Sequence, residues 1–132
     1  MEEMTAEVRD FFASSSGERG VQSLWAFLRD MITGMDAEVG AESYLLLFWG
    51  DIVDPHLRRL ALERNELVRE AIAARMPPTP HDPERTSGLV QSVIQGSYMR
   101  WMVCKQGRLS EFMVSEVRDL LAVLYPDETL AH

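Results

Sequence analysis

The side chain best suited to bind an ionic ligand is Arg64. It lies seven residues after Leu57 in a helical pattern, so the arginine interrupts the apolar side of that helix. A guanidinium in this setting could anchor an acidic group of a ligand. The alternatives are that it extends to solvent or pairs with a nearby glutamate. Arg100 also lies among apolar neighbours, and an interface salt bridge is the role we expect for it.

Patterns for metal binding and catalysis are weak in this sequence. His56 has no partner at helical spacing, and neither His81 nor His132 suggests a site, so we expect no metal. The sequence contains no nucleophile elbow and no glycine-rich phosphate loop. Cys104 is expected to be buried and therefore inert. We expect neither an enzyme nor a cofactor; an enzyme or carrier built on a helical bundle would need a polar cluster in its core.

Composition favours one folded domain, residues 1–132. Apolar residues make up 46% of the chain, which excludes a disordered protein. The net charge is -8 and the cations are scattered, so we expect no direct binding to nucleic acid. A single cysteine excludes an internal disulfide. The longest apolar run, Tyr44 to Trp49, is far short of the ~20 residues that span a bilayer, and a cytoplasmic location is expected.

Six helices and no strand are predicted. Two of them begin at an Asp-Pro pair, Asp54-Pro55 and Asp82-Pro83, where the aspartate caps the helix and proline takes its first position. The apolar run 44–53 could also be a strand, but we favour a buried helix because its neighbours are helical. The predicted helices span residues 5–14, 20–33, 37–53, 55–76, 83–105 and 110–125.

The connections in the second half of the chain carry their own signals. Pro77 to Pro80 form a stiff linker that cannot continue a helix. Gly107 is expected to end one helix and Ser110 to cap the next. Residues 127–132 are expected to form a loose tail.

The predicted helix 83–105 carries more apolar surface than one chain can cover. Its first half has one apolar arc, but after Gly96 the large apolar side chains point nearly all round the axis. A helix that is apolar all round is a buried helix, so we expect a second subunit to cover one side of it. Gly88, Ser92 and Gly96, four residues apart, form a narrow strip where another helix could approach closely.

Two stretches resemble the ligand-binding and dimerisation domain of TetR-family transcriptional regulators. One is LLLFWGDIVDPHLRRLALERNELVREAI, similar to that family's buried helix, Asp-Pro break and long charged helix. The other is the closing pair, DPERTSGLVQSVIQGSYMRW and SEFMVSEVRDLLAVLY, with an Asp-Pro-Glu start, a mid-helix glycine and an aromatic residue two-thirds along. The resemblance runs from about Thr5 to Tyr125. It implies an all-α fold, a six-helix bundle that dimerises through its last two helices.

The resemblance also implies an effector pocket inside each subunit and a four-helix interface between subunits. Methionine and aromatic side chains suit such a pocket because they are large and adaptable, although each could be an ordinary core residue. The implied pocket residues are Trp25, Leu28, Met31, Tyr44, Leu47, Phe48, Trp49, Ile52, Leu60, Arg64 and Trp101. The implied interface residues are Gly88, Ser92, Gly96, Met99, Arg100, Val103, Met113, Val117, Leu120, Leu121 and Leu124.

The function implied by the resemblance is that of the effector-binding domain of a transcriptional regulator, such as a repressor. A small, mostly apolar molecule would bind in each subunit of a homodimer and change the angle between the subunits. The family's N-terminal helix-turn-helix module has no counterpart here, so this chain is not expected to bind DNA by itself. The alternative is a stand-alone interaction protein that lacks the DNA-binding module. It would form a heterodimer with a full-length regulator and block its DNA binding.

Overall fold

The part of the chain that the structure describes is built from helices. In this computed structural model, residues 19–34 and 49–130 are described. Within those ranges there is no strand, in agreement with the predicted all-α class. The elements are α1 (Val21–Gly34), a helical stretch over residues 49–53, α2 (Pro55–Arg75), α3 (Pro83–Cys104) and α4 (Leu109–Leu124).

The helix boundaries agree with the sequence pattern to within one residue for α1, α2, α3 and α4. Residues 49–53 are helical, which favours the helix over the strand for the end of the apolar run. The predicted helix 5–14 and most of the predicted helix 37–53 lie outside the described residues.

Both Asp-Pro pairs start a helix as predicted. Oδ1 of Asp54 accepts hydrogen bonds from the backbone N–H groups of His56 and Leu57, at 2.9 and 3.2 Å. A carboxylate oxygen of Asp82 accepts from the N–H of Arg85 at 3.4 Å. Each cap supplies an acceptor for N–H groups that have no partner within the first turn of a helix.

The connection between α3 and α4 differs from the prediction. α3 ends at Cys104; Lys105, which follows it as the C-terminal cap, has a left-handed conformation (φ 48°), and Gly107 has φ 73°. α4 begins one residue early, so Arg108, which has no acceptor to offer, occupies the cap position. Ser110, the predicted cap, is buried inside the first turn. Cys104 is exposed rather than buried, because the last turn of α3 extends beyond the core.

The four helices form a closed ring in which each packs against two neighbours. α4 packs against α3 and α1, and α2 closes the ring between α3 and α1. The centre of the core lies between α1 and α4, whose inward stripes are completely buried. Burying one such side chain contributes about 1.5–3 kcal/mol to folding. These fully buried residues are Leu24, Leu28, Ile32, Met113, Val117 and Leu121.

Polar contacts tie the start of α1 to the end of α2. The N–H of Gly20 donates to the carbonyl of Arg75 at 2.9 Å, and Nη1 of Arg19 donates to the carbonyl of Met76 at 3.0 Å. The guanidinium of Arg75 lies 4.0 Å from the ring centroid of Phe27, and burial lowers its pKa. These donors satisfy carbonyl groups that the end of a helix leaves without a partner.

The described residues after α4, up to Leu130, are packed against the bundle, not loose as predicted, and residues 131 and 132 of the predicted tail lie outside the described residues. Nε2 of Gln22 donates to the carbonyl of Thr129 at 2.6 Å, and Nη2 of Arg118 donates to the carbonyl of Leu130 at 3.3 Å. The side chain of Leu130 is buried. The prediction was wrong because residues from distant parts of the chain, in α1 and α4, hold this segment.

Tyr125 is buried beside the proline linker. Its ring packs edge-on against His81, with centroids 5.4 Å apart, and the Nε2–H of His81 donates to the carbonyl of Leu124 at 2.6 Å. Among the described residues, none is a hydrogen-bond partner for the buried Oη of Tyr125. Burial raises the pKa of Tyr125 above its ordinary value of 10.0.

Tyr125→Phe is expected to leave the free energy of unfolding unchanged at neutral pH, or to raise it by about 1 kcal/mol, because it removes a buried hydroxyl without a partner. Above pH 10, the unfolded chain loses this proton more readily than the folded chain, so tyrosine ionisation lowers stability as the pH rises. Urea unfolding at about pH 7 and about pH 11 should show a larger loss for the wild type than for the variant. A less stable variant at neutral pH would contradict this account.

Candidate functional site

A groove of about 250 Å³ lies where the helical residues 49–53 meet α2 and the middle of α3. Its walls combine apolar, amide and charged side chains. This volume lies below the range of roughly 300–1,000 Å³ that is typical of ligand sites, so the groove fits only a small molecule or part of one. The lining residues are Asp51, Ile52, Arg58, Ala61, Leu62, Arg64, Asn65 and Gln95.

The most buried charged groups of the groove form an ion pair. Nη2 of Arg64 donates to Oδ2 of Asp51 at 3.0 Å, and the two side chains are 20% and 10% exposed. The arginine that interrupts the apolar side of α2 is therefore paired with an aspartate of the preceding helical stretch. When a pair is this far removed from water, removing either partner strongly destabilises the protein, because the remaining charge is buried without a counter-charge.

The break at Asp54 positions this pair. The N–H of Asp54 donates to the carbonyl of Gly50 at 3.0 Å, and the N–H of Arg58 donates to the carbonyl of Asp54 at 2.8 Å. The chain thus passes from residues 49–53 into α2 through one capped turn. That turn brings the carboxylate of Asp51 to the side of α2 on which Arg64 lies.

The groove offers apolar surface beside a second guanidinium. Ile52 and Leu62 are 47% and 64% exposed. Arg58 is exposed as well and forms no ion pair with any residue in the described ranges. Because Asp51 already compensates the charge of Arg64, Arg58 is the cation that an incoming acidic group would meet. The arrangement suits a small molecule with an apolar body and one acidic group.

Of the predicted pocket residues that the structure describes, the groove brings together Ile52 and Arg64. Trp49 is 64% exposed on the same helical stretch as Ile52. Others are buried in the core or packed against it: Trp25, Leu28, Met31, Leu60 and Trp101. The remaining ones lie outside the described residues: Tyr44, Leu47 and Phe48.

A second candidate surface lies on α3, on the side that faces away from the core. Leu89, Met99 and Val103 are 54%, 46% and 89% exposed, and Ser92 and Gly96 are exposed between them. Steps of three and four residues place all five on one face of the helix. We call this face the α3 outer row. Single exposed apolar residues are ordinary, but three of them on one helix face, with only small residues between them, indicate an interaction surface.

α4 supplies less of this surface than the sequence predicts. The sequence predicts three residues of α4 at an interface: Met113, Val117 and Leu121. None of them has exposed area, because this side of α4 packs against α1 and the rest of the core. For these three residues the prediction is wrong. Arg100 forms a salt bridge within the chain, with Glu116 of α4, and its predicted salt bridge at an interface stays a prediction.

The other predicted interface residues lie at the margins of the outer row. Leu120 and Leu124 are half-buried and pack against the core, and Gly88 is half-buried on α3. Val123, which the sequence did not single out, is 76% exposed on α4. α4 therefore adds an apolar residue to the outside of the bundle, but not through the stripe that the periodicity indicated.

Sequence reasoning missed residues at both surfaces. Leu89 carried a usable signal, since it lies seven residues before Gly96 and fourteen before Val103, the spacing of one helix face. Asp51 carried none, because its partner Arg64 lies on a different helix and no periodicity connects the two.

No protein-family model matches this chain, and no curated protein matches it. None of the helices that the structure describes combines the length and the apolar character that crossing a bilayer needs. Across residues 19–34 and 49–130, no three His, Cys, Asp or Glu side chains gather as metal ligands would. The groove and the α3 outer row are therefore the two features of the described residues that point to a function.

The two single replacements in the Asp51–Arg64 pair are expected to lower the free energy of unfolding by more, when added together, than the double replacement does. Asp51→Ala and Arg64→Ala each leave a mostly buried charge without its counter-charge, at a loss of about 1–3 kcal/mol. The double variant should recover part of this loss, with a coupling energy of about 1–2 kcal/mol from urea unfolding of all four proteins.

The matched control is the Glu66–Arg69 pair within α2, where the side chain of Glu66 is 53% exposed. Water screens this pair, so its coupling energy should be clearly smaller. Equal coupling energies in the two cycles would show that the Asp51–Arg64 pair is screened by water as well.

Proposed function

We propose that this chain is the effector-binding and dimerisation domain of a TetR-like transcriptional regulator. Two copies pair through α3 and α4, and each copy binds a small, mostly apolar molecule. The observation that carries the proposal is the α3 outer row, an apolar surface that faces away from the chain's own core. The helix order and the two Asp-Pro starts support it as well.

The energetics of the outer row favour pairing. Leu89, Met99 and Val103 are about half to nine-tenths exposed, and fully burying an exposed side chain of this kind contributes about 1.5–3 kcal/mol. Association also has an entropic cost of at least several kcal/mol, so one helix face is not sufficient for a stable dimer. Val123 places further apolar surface on α4, the neighbour of α3 in the bundle.

The same helix links the groove to the outer row. Gln95 of α3 lines the groove, and the next residue, Gly96, belongs to the outer row. A molecule that moves α3 relative to α2 would therefore alter the surface through which two copies meet. Such coupling requires that the molecule bind one arrangement of the helices more tightly than the other.

The purified protein is expected to be a dimer, with twice its chain mass of 15.0 kDa, in light scattering at micromolar concentration. Met99→Glu should shift it to monomer and weaken dimerisation by roughly 100-fold or more, because an unpaired carboxylate in an apolar contact costs several kcal/mol. Circular dichroism should show that the variant keeps its helices, since Met99 faces away from the core.

Leu62→Glu is the matched control, because Leu62 is also exposed but lies on α2 in the groove. This variant should remain dimeric. A wild type that is monomeric at every concentration, or a Leu62→Glu variant as monomeric as Met99→Glu, would contradict the proposed role of the outer row.

Among hydrophobic ligands, an amphipathic carboxylate in large excess over its Kd is expected to raise Tm by about 5–10 °C. The neutral alcohol of the same chain length should raise it less, because Arg58 favours an acidic group. Arg58→Ala should remove this difference, and Leu62→Glu should abolish both shifts, while Met99→Glu should keep them. If a broad set of hydrophobic ligands raises Tm for none of these proteins, the effector-binding part of the proposal fails.

A further inference from the structure

We infer that a second copy of this chain docks on the α3 outer row with its own α3 running in the opposite direction, and that the two helices cross between Ser92 and Gly96. This inference rests on the proposed dimerisation function and specifies its geometry. Three observations support the inference: the order of side chains along the outer row, the presence of Gly96 where its own chain does not require a glycine, and the distribution of charge along α3.

Four of the five residues of the α3 outer row have the same order of side-chain sizes in both directions, and Val103 lies outside this pattern. Leu89, Ser92, Gly96 and Met99 are separated by three, four and three residues, so large, small, small and large side chains follow one another. Turning a second copy round places its Met99 opposite Leu89 and its Gly96 opposite Ser92. A two-fold interface needs this kind of self-complementarity, because the same patch must fit itself.

The centre of the row is shaped for close approach. A Cβ added at Gly96 would meet no atom within 4 Å, so nothing among the described residues requires a glycine there. A glycine inside a helix costs roughly 0.5–1 kcal/mol relative to alanine. The hydroxyl of Ser92 donates to the carbonyl of Gly88 at 3.0 Å and needs no outside partner. Two helix backbones can therefore come together at Ser92 and Gly96.

Charge along α3 favours the antiparallel direction. The start of the helix carries two exposed carboxylates, Asp82 and Glu84, against one cation, Arg85. Just past its end lie two exposed cations, Lys105 and Arg108. An antiparallel pair places the acidic end of one copy beside the basic end of the other, whereas a parallel pair would place like charges together. The chain's net charge of -8 makes this local complementarity more important.

The antiparallel arrangement also recruits α4. A two-fold axis that crosses α3 at right angles leaves both copies of α4 on the same side of the helix pair. The α4 helices can then meet each other and bring Val123 into the interface. This adds the contact area that one helix face lacks, since a stable interface takes roughly 20 residues from each partner.

Disulfide cross-linking tests the direction of pairing. In a Cys104→Ser background, Leu89→Cys and Met99→Cys are made singly and together. Positions ten residues apart on a helix are about 15 Å apart, too far for a disulfide within one chain. The antiparallel pair predicts covalent dimers, reversible by reductant, for the double variant and for a mixture of the two single variants. Neither single variant alone should cross-link.

Cross-linking of each single variant with itself would show a parallel pair and overturn the inference. A dimer in light scattering that cross-links in none of these samples would also overturn it, while the proposed dimerisation would stand. A wild type that is monomeric in light scattering would contradict both the antiparallel geometry and the proposed dimerisation.

Gly96→Leu provides a second test that does not depend on disulfide formation. The fold of the single chain should be unaffected, because the added side chain meets open space in its own chain. The variant should therefore keep the helical content of the wild type, and at concentrations where both proteins are monomers it should keep the same Tm. It should weaken dimerisation at least about 10-fold by holding the helices apart at the crossing. Gly34→Leu, at the end of α1, where an added Cβ also meets nothing within 4 Å, is the control and should leave dimerisation unchanged. Equal dimerisation of Gly96→Leu and the wild type would contradict the crossing point.

Discussion

The structure depends on the packing of α4 against α1. Leu24 and Leu28 of α1 and Met113 and Val117 of α4 are completely buried, so the inward stripes of both helices are used inside one chain. This changes what the last two helices can offer to a partner. α4 has little apolar surface left outside, whereas α3 covers the core with one side and exposes apolar residues on the other.

α3 consequently connects the parts of the molecule that could carry function. On one side, Nε2 of Gln91 donates to the carbonyl of Asn65 in α2 at 3.0 Å, next to the groove. On the other side, Arg100 pairs with Glu116 of α4. Its outward side carries the outer row. A change in the groove and a change at the outer row would therefore act on the same helix, and this is the physical basis of the coupling that we propose between a bound molecule and the pairing of two copies.

Several features of the fold could be predicted from the sequence, because their causes are local. An aspartate followed by proline supplies both an acceptor and a fixed φ angle, so the starts of α2 and α3 were placed correctly. Helical periodicity placed α1 and α4, and the excess of apolar residues in α3 indicated a helix with two apolar sides. The sequence also indicated that Arg64 interrupts an apolar side of α2, since this needs only the position of the residue on its own helix.

The remaining features were decided by tertiary structure, because they depend on which helix is the neighbour of which. Periodicity shows that a face is apolar but not what covers it, so Met113 and Val117 were assigned to an interface when they belong to the core. The partner of Arg64 and the anchoring of the segment around Leu130 join residues from different helices. The amino-acid sequence by itself determined where the helices are and which sides of them are apolar. Only the packing of the four helices into a ring decided which of those apolar sides are exposed. The physical reason is that each helix–helix contact buries one face of both helices and so determines which faces remain for the other helices to pack against.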